Sequence, residues 1–246
     1  MSVKPSRIIE FSTLPATCAY LKDRQMRMEY KFIEDCPTNL SQSLVERGWR
    51  RFGEYYSRPN CASCNLCLSL RIQAYAYRFS KSAKRTIRKN SNTRFLIQKP
   101  TLTKSHLALY EKYHKHMEAK KGWKHYHLSA NSYYELYVAG AMEFGKEVLY
   151  FVDNKLVGVD LIDFFEDGIS SIYFFYDPDY AHLSLGRFSI YQQILIAQIN
   201  KLPYIYLGYF VEDCESLNYK ANYKPFEILQ GDPHLDQTSI WAENSL

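Results

Sequence analysis

Residues 147–210 constrain the fold more than any other part of the chain. Three strand-length runs, EVLYFVDN (147–154), KLVGVDLIDFFED (155–167) and ISSIYFFYD (169–177), are separated only by the turns Asp153-Asn154 and Asp167-Gly168. Connections this short join antiparallel neighbours. The loop DPDYAHLS then leads into LGRFSIYQQILIAQINK (185–201), a strongly apolar helix. LPYIYLGYF (202–210) is an almost uninterrupted apolar run, as expected of a strand covered on both faces. The pattern predicts an α+β domain.

A meander, a loop into a helix and a buried strand is the order of an N-acetyltransferase-like (GNAT) core. In users of acetyl-CoA, the strand-to-helix loop carries a glycine-bearing pyrophosphate cradle, [RQ]-x-x-G-x-[GA]. Here it reads YDPDYAHLSLGRFS, with one glycine and no such signature, so no acetyl-CoA is expected and another acyl donor is indicated. Before this core, the chain to about residue 95 reads as irregular, with a loop at SRPNCASCNLC, a strand over 68–79 and a helix from Ser80 to about Asn90. Further helices are expected at 102–120 and from Ser129 through Val138, with the loop KKGWKHYHLS between them, and a short one at SLNYKANYK. The expected division is 1–95, an irregular, basic, cysteine-containing N-terminal domain, and 96–246, the GNAT-like domain. Asp160, Asp163 and Glu166 read as solvated edge charges.

Charge is distributed unevenly. Residues 1–128 hold 25 Lys/Arg against 9 Asp/Glu, and residues 129–246 hold 6 against 17. The peak, RIQAYAYRFSKSAKRTIRKNSNTR (71–94), has eight basic residues and no acid. Lys81, Lys84, Arg85 and Arg88 recur at i, i+3, i+4 and i+7, which puts them on one helix face. An ordinary charged surface interleaves both signs, so a phosphate-backbone partner is the better reading.

Three of the six cysteines form CASCNLC (Cys61, Cys64, Cys67), a C-x2-C-x2-C cluster. That spacing favours zinc or an iron–sulfur cluster over disulfides in a cytoplasmic setting, with Cys18 or Cys36 as fourth ligand. The alternative is three buried thiols in a tight turn. With 46% hydrophobic and 23% charged residues the chain is not a disordered one, and no apolar run is long enough to span a bilayer. MSVKPSRIIEFSTLP lacks the apolar stretch of a signal peptide, so a soluble, cytoplasmic protein without a membrane partner is expected.

Longer segments carry a resemblance. Cys18-Ala-Tyr-Leu, RGWRRFGEYYSRPNCASCNLCLSLRI and FSKSAKRTIRKN resemble the N-terminal domain of the aminoacyl-tRNA–protein transferases. SSIYFFYDPDYAHLSLGRFSIYQQI and LPYIYLGYFVEDCESLNYKANYKPFEIL resemble that family's C-terminal signature. The family comprises eukaryotic arginyltransferases and shorter bacterial leucyltransferases, and the compact chain looks like the bacterial branch. Two stretches depart from the pattern: GWRRFG stands for a GFRRSG-like sequence, and FSKSAKR for an Arg-richer SRSQRR-like one. Lysine keeps the charge there but loses the bidentate fork.

The resemblance implies transfer of an amino acid, Leu in the bacterial branch, from aminoacyl-tRNA to proteins beginning with Asp or Glu, marking them for degradation. No cofactor is required for the transfer. Eukaryotic members bind an iron–sulfur cluster through cysteines of this domain, and Cys18, Cys61, Cys64 and Cys67 match that region. The ester donor is already activated and an N-terminal amine has a pKa of about 7.7–8.0, so positioning outweighs the need for a strong base. Arg78, Lys81, Lys84, Arg85, Arg88 and Lys89 are the candidates for the tRNA phosphates. Arg50, Arg51 and Arg58 are those for the acceptor's acidic side chain, unless they pair with Glu46 or Glu54. Tyr176, Asp177, Tyr209 and Lys220 are the catalytic candidates: Asp177 to orient or deprotonate the amine, Tyr209 or Lys220 to stabilise the ester oxygens. Alternatively, the tyrosines are core aromatics and Asp177 a turn residue before Pro178. His106, His114 and His116 fall near one helix without a metal-binding spacing, and Cys214 reads as a packing residue. The donor stays open between Leu and Arg. Two rival functions are an acetyl-CoA-dependent transferase and a non-enzymatic nucleic-acid-binding protein with a metal knuckle.

Overall fold

The computed structural model describes residues 5–125 and 127–243; Tyr126, within the expected 120–129 loop, and the first four residues, within the leader reading, lie outside the described residues. The N-terminal part is more regular than its sequence suggests. It contains β1 (Arg7–Ser12), the short pair β2 (Ala16–Thr17) and β3 (Gln25–Met26), β4 (Met28–Glu34), β5 (Arg50–Phe52) and β6 (Tyr55–Pro59). Four of these form an antiparallel sheet in the order β1-β4-β6-β5, with α1 (Thr38–Glu46) between β4 and β5 in the chain. Charged stems hid this sheet from a hydrophobic count. Lys31 and Arg58 lie 5.0 and 4.8 Å over the Trp49 ring and cover a small core of Ile33, Leu44, Trp49 and Tyr56.

The larger sheet is mixed. Its strands are β7 (Leu68–Gln73), β8 (Arg94–Gln98), β9 (Gly145–Val152), β10 (Lys155–Phe164), β11 (Gly168–Tyr176), β12 (Tyr204–Phe210), β13 (Phe226–Leu229) and β14 (Trp241–Glu243). They run β14-β13-β7-β12-β11-β10-β9-β8, and β11 and β12 are parallel. The meander, the buried β12 and the α+β character follow the sequence pattern. β7 pairs with β12 and β13, so the sheet takes a central strand from the N-terminal side of residue 95.

Helices cover both faces of this sheet. On one lie α2 (Lys81–Lys89) and, after α3 (Lys104–Lys121) and α4 (Ala130–Tyr133) in the chain, α5 (Leu185–Ile199), followed by α6 (Glu215–Asn218). α5 packs on β11 and β12 and buries Leu185, Phe188, Ile190, Ile194 and Ala197 in a core shared with residues of β7 and β10, and Ala83 and Ile87 of α2 join the same core. On the other face Leu109, Tyr110, Tyr113 and Met117 of α3 pack with Tyr133, Val159, Leu161 and Phe175. Ser80, Thr103 and Ser129 cap α2, α3 and α4 by accepting hydrogen bonds from Ala83, His106 and Ser132 amides. Residues 178–183, expected as loop, form 3-10 turns that begin on the Asp177 side chain.

Two acids are not edge charges. Asp160 and Asp163 are fully buried, because β10 is an interior strand flanked by β9 and β11; Glu166, beyond its end, is exposed as expected.

Candidate functional site

The parallel pair β11 and β12 stays in register only from Gly168–Tyr204 to Ser170–Tyr206. Each strand then bulges. Pairing with β10 skips Ile172 on β11, and pairing with β7 skips Leu207 on β12. A bulge leaves ladder groups unmatched and re-aims side chains, and here Arg50 of β5 fills the gap. Its Nη2 donates to the carbonyls of Ser171 and Ile172, while Nη1 is buried without a partner among the described residues. Gly208 makes room. It sits at φ +75°, and a Cβ there would lie 2.6 Å from the Arg50 Cζ. Burial lowers the Arg50 pKa, and Tyr209 and Tyr20 are the first of the neighbours that oppose it. A glycine inside an otherwise apolar strand was the one mark of this close approach in the sequence.

The other two arginines are committed elsewhere. Arg51 makes a bidentate pair with Asp163, with Nε at 2.8 Å from Oδ2 and Nη2 at 2.7 Å from Oδ1, and its Nη1 donates to the Gly53 carbonyl. Arg58 pairs with Glu29 and donates to Pro233 O at 3.1 Å. Neither pairs with Glu46 or Glu54, the partners weighed from the sequence.

Among the catalytic candidates, Asp177 is held between Lys112 at 2.5 Å and Lys155 at 2.8 Å. Although burial acts against the charge, these lysines keep its pKa below the usual carboxylate value. Tyr209 is directed at the Gly48 and Ser57 carbonyls, at 3.1 and 3.0 Å. Tyr176 is half-buried between Tyr113 and Phe174. Lys220 is buried, donates to Tyr209 O at 2.6 Å, and is driven down to about 7 by burial and by Arg50. Arg50, Tyr209 and Lys220 therefore gather at one place, whereas Asp177 stands apart as an anchor between α3 and the β9–β10 turn. The buried Cys214 lies against Ser216, 3.2 Å away.

Next to this group a cavity of about 230 Å³ opens between the two sheets, lined among others by Tyr20, Arg58, Tyr209 and all four of Cys18, Cys61, Cys64 and Cys67. Backbone amides of Tyr20 and Leu21 point at the Cys18 sulfur, at 3.4 and 3.5 Å, and that of Arg27 at Cys61. Four thiols around one space suit a soft metal in kind. As the side chains stand, no group of three His, Cys, Asp or Glu among the described residues is gathered around an ion position. Burial, then Cys18 and the other sulfurs, pushes the Cys67 thiol up to about 12, so it is protonated at neutral pH. Of the histidines weighed from the sequence, His106 and His114 do not share a centre. His106 bonds Thr103 and Glu147, and His114 bonds Tyr173.

The basic strip is solvent-facing. Lys81, Lys84, Arg85, Arg88 and Lys89 are exposed and make no ion pair among the described residues, while Ala83 and Asn90 turn inward. Arg78, also exposed, donates to the Tyr75 and Tyr77 carbonyls. α2 packs on α5, so these cations lie on the same side of the large sheet as α5. No helix among the described residues is long and apolar enough to cross a membrane.

Comparison with known proteins adds the following. The family described as arginine-tRNA-protein transferase matches residues 16–85 by its N terminus and residues 105–230 by its C terminus. The aspartate/glutamate leucyltransferase of Campylobacter jejuni serotype O:2 is 54% identical over 235 residues, covering 96% of this chain and 98% of that protein. The aspartate/glutamate leucyltransferase of Helicobacter hepaticus is 40% identical over the same shares. Among solved structures, that of L-PGS from Bacillus licheniformis aligns at TM-score 0.45 with 12% identity, over 65% of this chain and 57% of that one, too distant a likeness to bear on fold or activity.

Proposed function

This chain belongs to the arginine-tRNA–protein transferase family, and from that premise we propose that it moves Leu from Leu-tRNA to the N-terminal Asp or Glu of proteins, marking them for N-degron degradation. The near-full-length identity to proteins named for that activity carries the reading. We place the protein in the cytoplasm and read its large sheet as a GNAT-like core, supported by the meander, α5 and the parting of β11 from β12.

The reaction exchanges one bond for another. The neutral α-amine of the acceptor attacks the leucyl ester carbonyl, the C–N bond forms, and the bond to the ribose 3′-oxygen breaks. The proton leaving the amine ends on that oxygen, and the neighbouring 2′-hydroxyl can relay it. Holding amine and ester together supplies most of the rate. Of the three arginines offered to the acceptor's carboxylate, Arg50 has a buried nitrogen to give, so we assign it that role over Arg51 and Arg58. Lys220, part neutral near pH 7, stands beside it to take a proton or to face the ester oxygens. Tyr209 and Tyr176 form walls, and Asp177 fixes the loop before α5. Should Cys18, Cys61, Cys64 and Cys67 take up zinc or an iron–sulfur cluster, that group would order the N-terminal sheet or make it redox-sensitive; no step of the transfer uses it.

The test is a transfer assay. Purified protein is given radiolabelled Leu-tRNA or Arg-tRNA with peptides beginning Asp, Glu, Arg or Ala, and the expected result is Leu on Asp and Glu peptides. Arg transfer would change the donor, and no transfer by folded protein would overturn the reading. The tRNA contact makes its own prediction. Replacing any one of Lys81, Lys84, Arg85 or Arg88 by Ala should reduce the slope of log affinity against log salt by about 0.7–0.9. An unchanged slope in a filter-binding titration would remove that residue from the interface.

A further inference from the structure

Beyond the Arg50–Lys220 group, the α5 face of the sheet holds a second buried polar cluster. Asp160 is fully buried, and its Oδ2 accepts from Gln193 Nε2 at 2.9 Å. The same Nε2 donates to Ser171 Oγ at 3.2 Å, which ties the cluster to the bulge that Arg50 occupies. Three acceptors remain open among the described residues: Asp160 Oδ1, Gln193 Oε1 and the Tyr150 hydroxyl oxygen. Gln193 and Tyr150 are each 1% exposed, so each open atom carries a desolvation cost unless something donates to it. Tyr150 lies diagonal to Asp160 on the same face of the sheet, since it pairs with Gly158, two residues away.

The surroundings narrow what belongs there. The neighbours are apolar and aromatic: Tyr150 meets Phe174 and Phe188 edge-on, and Phe174 stands opposite Asp160 on β11. Tyr219, 41% exposed, lies within electrostatic reach of both Arg50 and Asp160. Three open acceptors match the three N–H donors of a primary ammonium, whereas a guanidinium brings five. The acceptor protein brings a carboxylate, which a buried Asp repels; a leucyl ester brings an ammonium beside an apolar side chain and no anion.

We propose that Asp160, Gln193 and Tyr150 bind the α-ammonium of the donor leucyl group and seat its side chain against Phe174 and Phe188, presenting the ester carbonyl where β11 and β12 part. The assignment rests on the leucyl-transfer reading and adds the residues that read the donor. Burial alone pushes the Asp160 carboxyl up to about 7, and a bound ammonium would keep it ionised.

The experiment compares two donors in the full chain: Leu-tRNA, and the same tRNA after nitrous acid has turned the α-amine into a hydroxyl. Wild type should prefer the amine donor by about 100-fold in kcat/KM on an Asp peptide. Asp160→Asn should lose most of that preference, by slowing with Leu-tRNA while changing little with the hydroxy donor. A merely structural Asp160 would lower both rates together and leave the ratio intact, and that result overturns the proposal. So does a wild type that transfers leucine but treats the donors alike, with the leucyl-transfer reading left standing. A wild type inactive on Leu-tRNA overturns both. Should Asp160→Asn not fold, Tyr150→Phe keeps the ring, and the preference should narrow by about tenfold; an unchanged ratio there also overturns the assignment.

Discussion

Arg51→Met is expected to cost about 3–5 kcal/mol of stability, because it leaves the Asp163 carboxylate buried in the sheet without its partner. Asp163→Leu should cost a similar amount by stranding the guanidinium. The double variant should recover much of the loss, since a buried pair replaced by apolar groups of similar volume is often close to neutral. Urea unfolding of the four proteins measures this as a coupling energy. If each single change costs under about 1 kcal/mol, the pair is not the tie between the sheets that its geometry indicates. Much is at stake in that tie, because Arg51 comes from β5 of the small sheet and Asp163 from β10 of the large one.

Arg50→Lys is expected to lower kcat/KM on Asp and Glu peptides by about 100-fold or more while the protein stays folded. Lysine keeps the charge, but it cannot hold the Ser171 and Ile172 carbonyls with one nitrogen and offer another in a fixed fork. The informative readout is the preference for Asp over Asn and Glu over Gln at the peptide N-terminus, which should collapse toward unity. A variant that is slower on every peptide alike would assign Arg50 to the scaffold instead. Gly208→Ala tests the same point from outside, since its Cβ would push into the guanidinium and should reproduce the loss of preference.

How far the sequence could be read depended on what each residue's neighbours do. The meander and α5 were legible because their apolar runs bury against one another locally. The four-stranded sheet was not, because Lys31 and Arg58 count as polar while their stems cover Trp49. Asp160 and Asp163 misled for a related reason: a carboxylate in a strand reads as exposed until Gln193 and Arg51, both distant in sequence, are placed beside it. Among the arginines, only the three-dimensional partners separate Arg50, with a nitrogen to spare, from Arg51 and Arg58.

The position of β7 has a consequence for how the molecule is made. Residues 68–73 are completed early in synthesis, yet both of their neighbours, β12 and β13, lie at residues 204–229. The segment joining CASCNLC to the basic helix must therefore wait, unpaired, until nearly the whole chain has left the ribosome. Pairings of such long range fold slowly and leave strand edges open meanwhile. A ribosome stalled before residue 204 should carry a nascent chain that proteases cut within 68–80, and release of the finished chain should close that window.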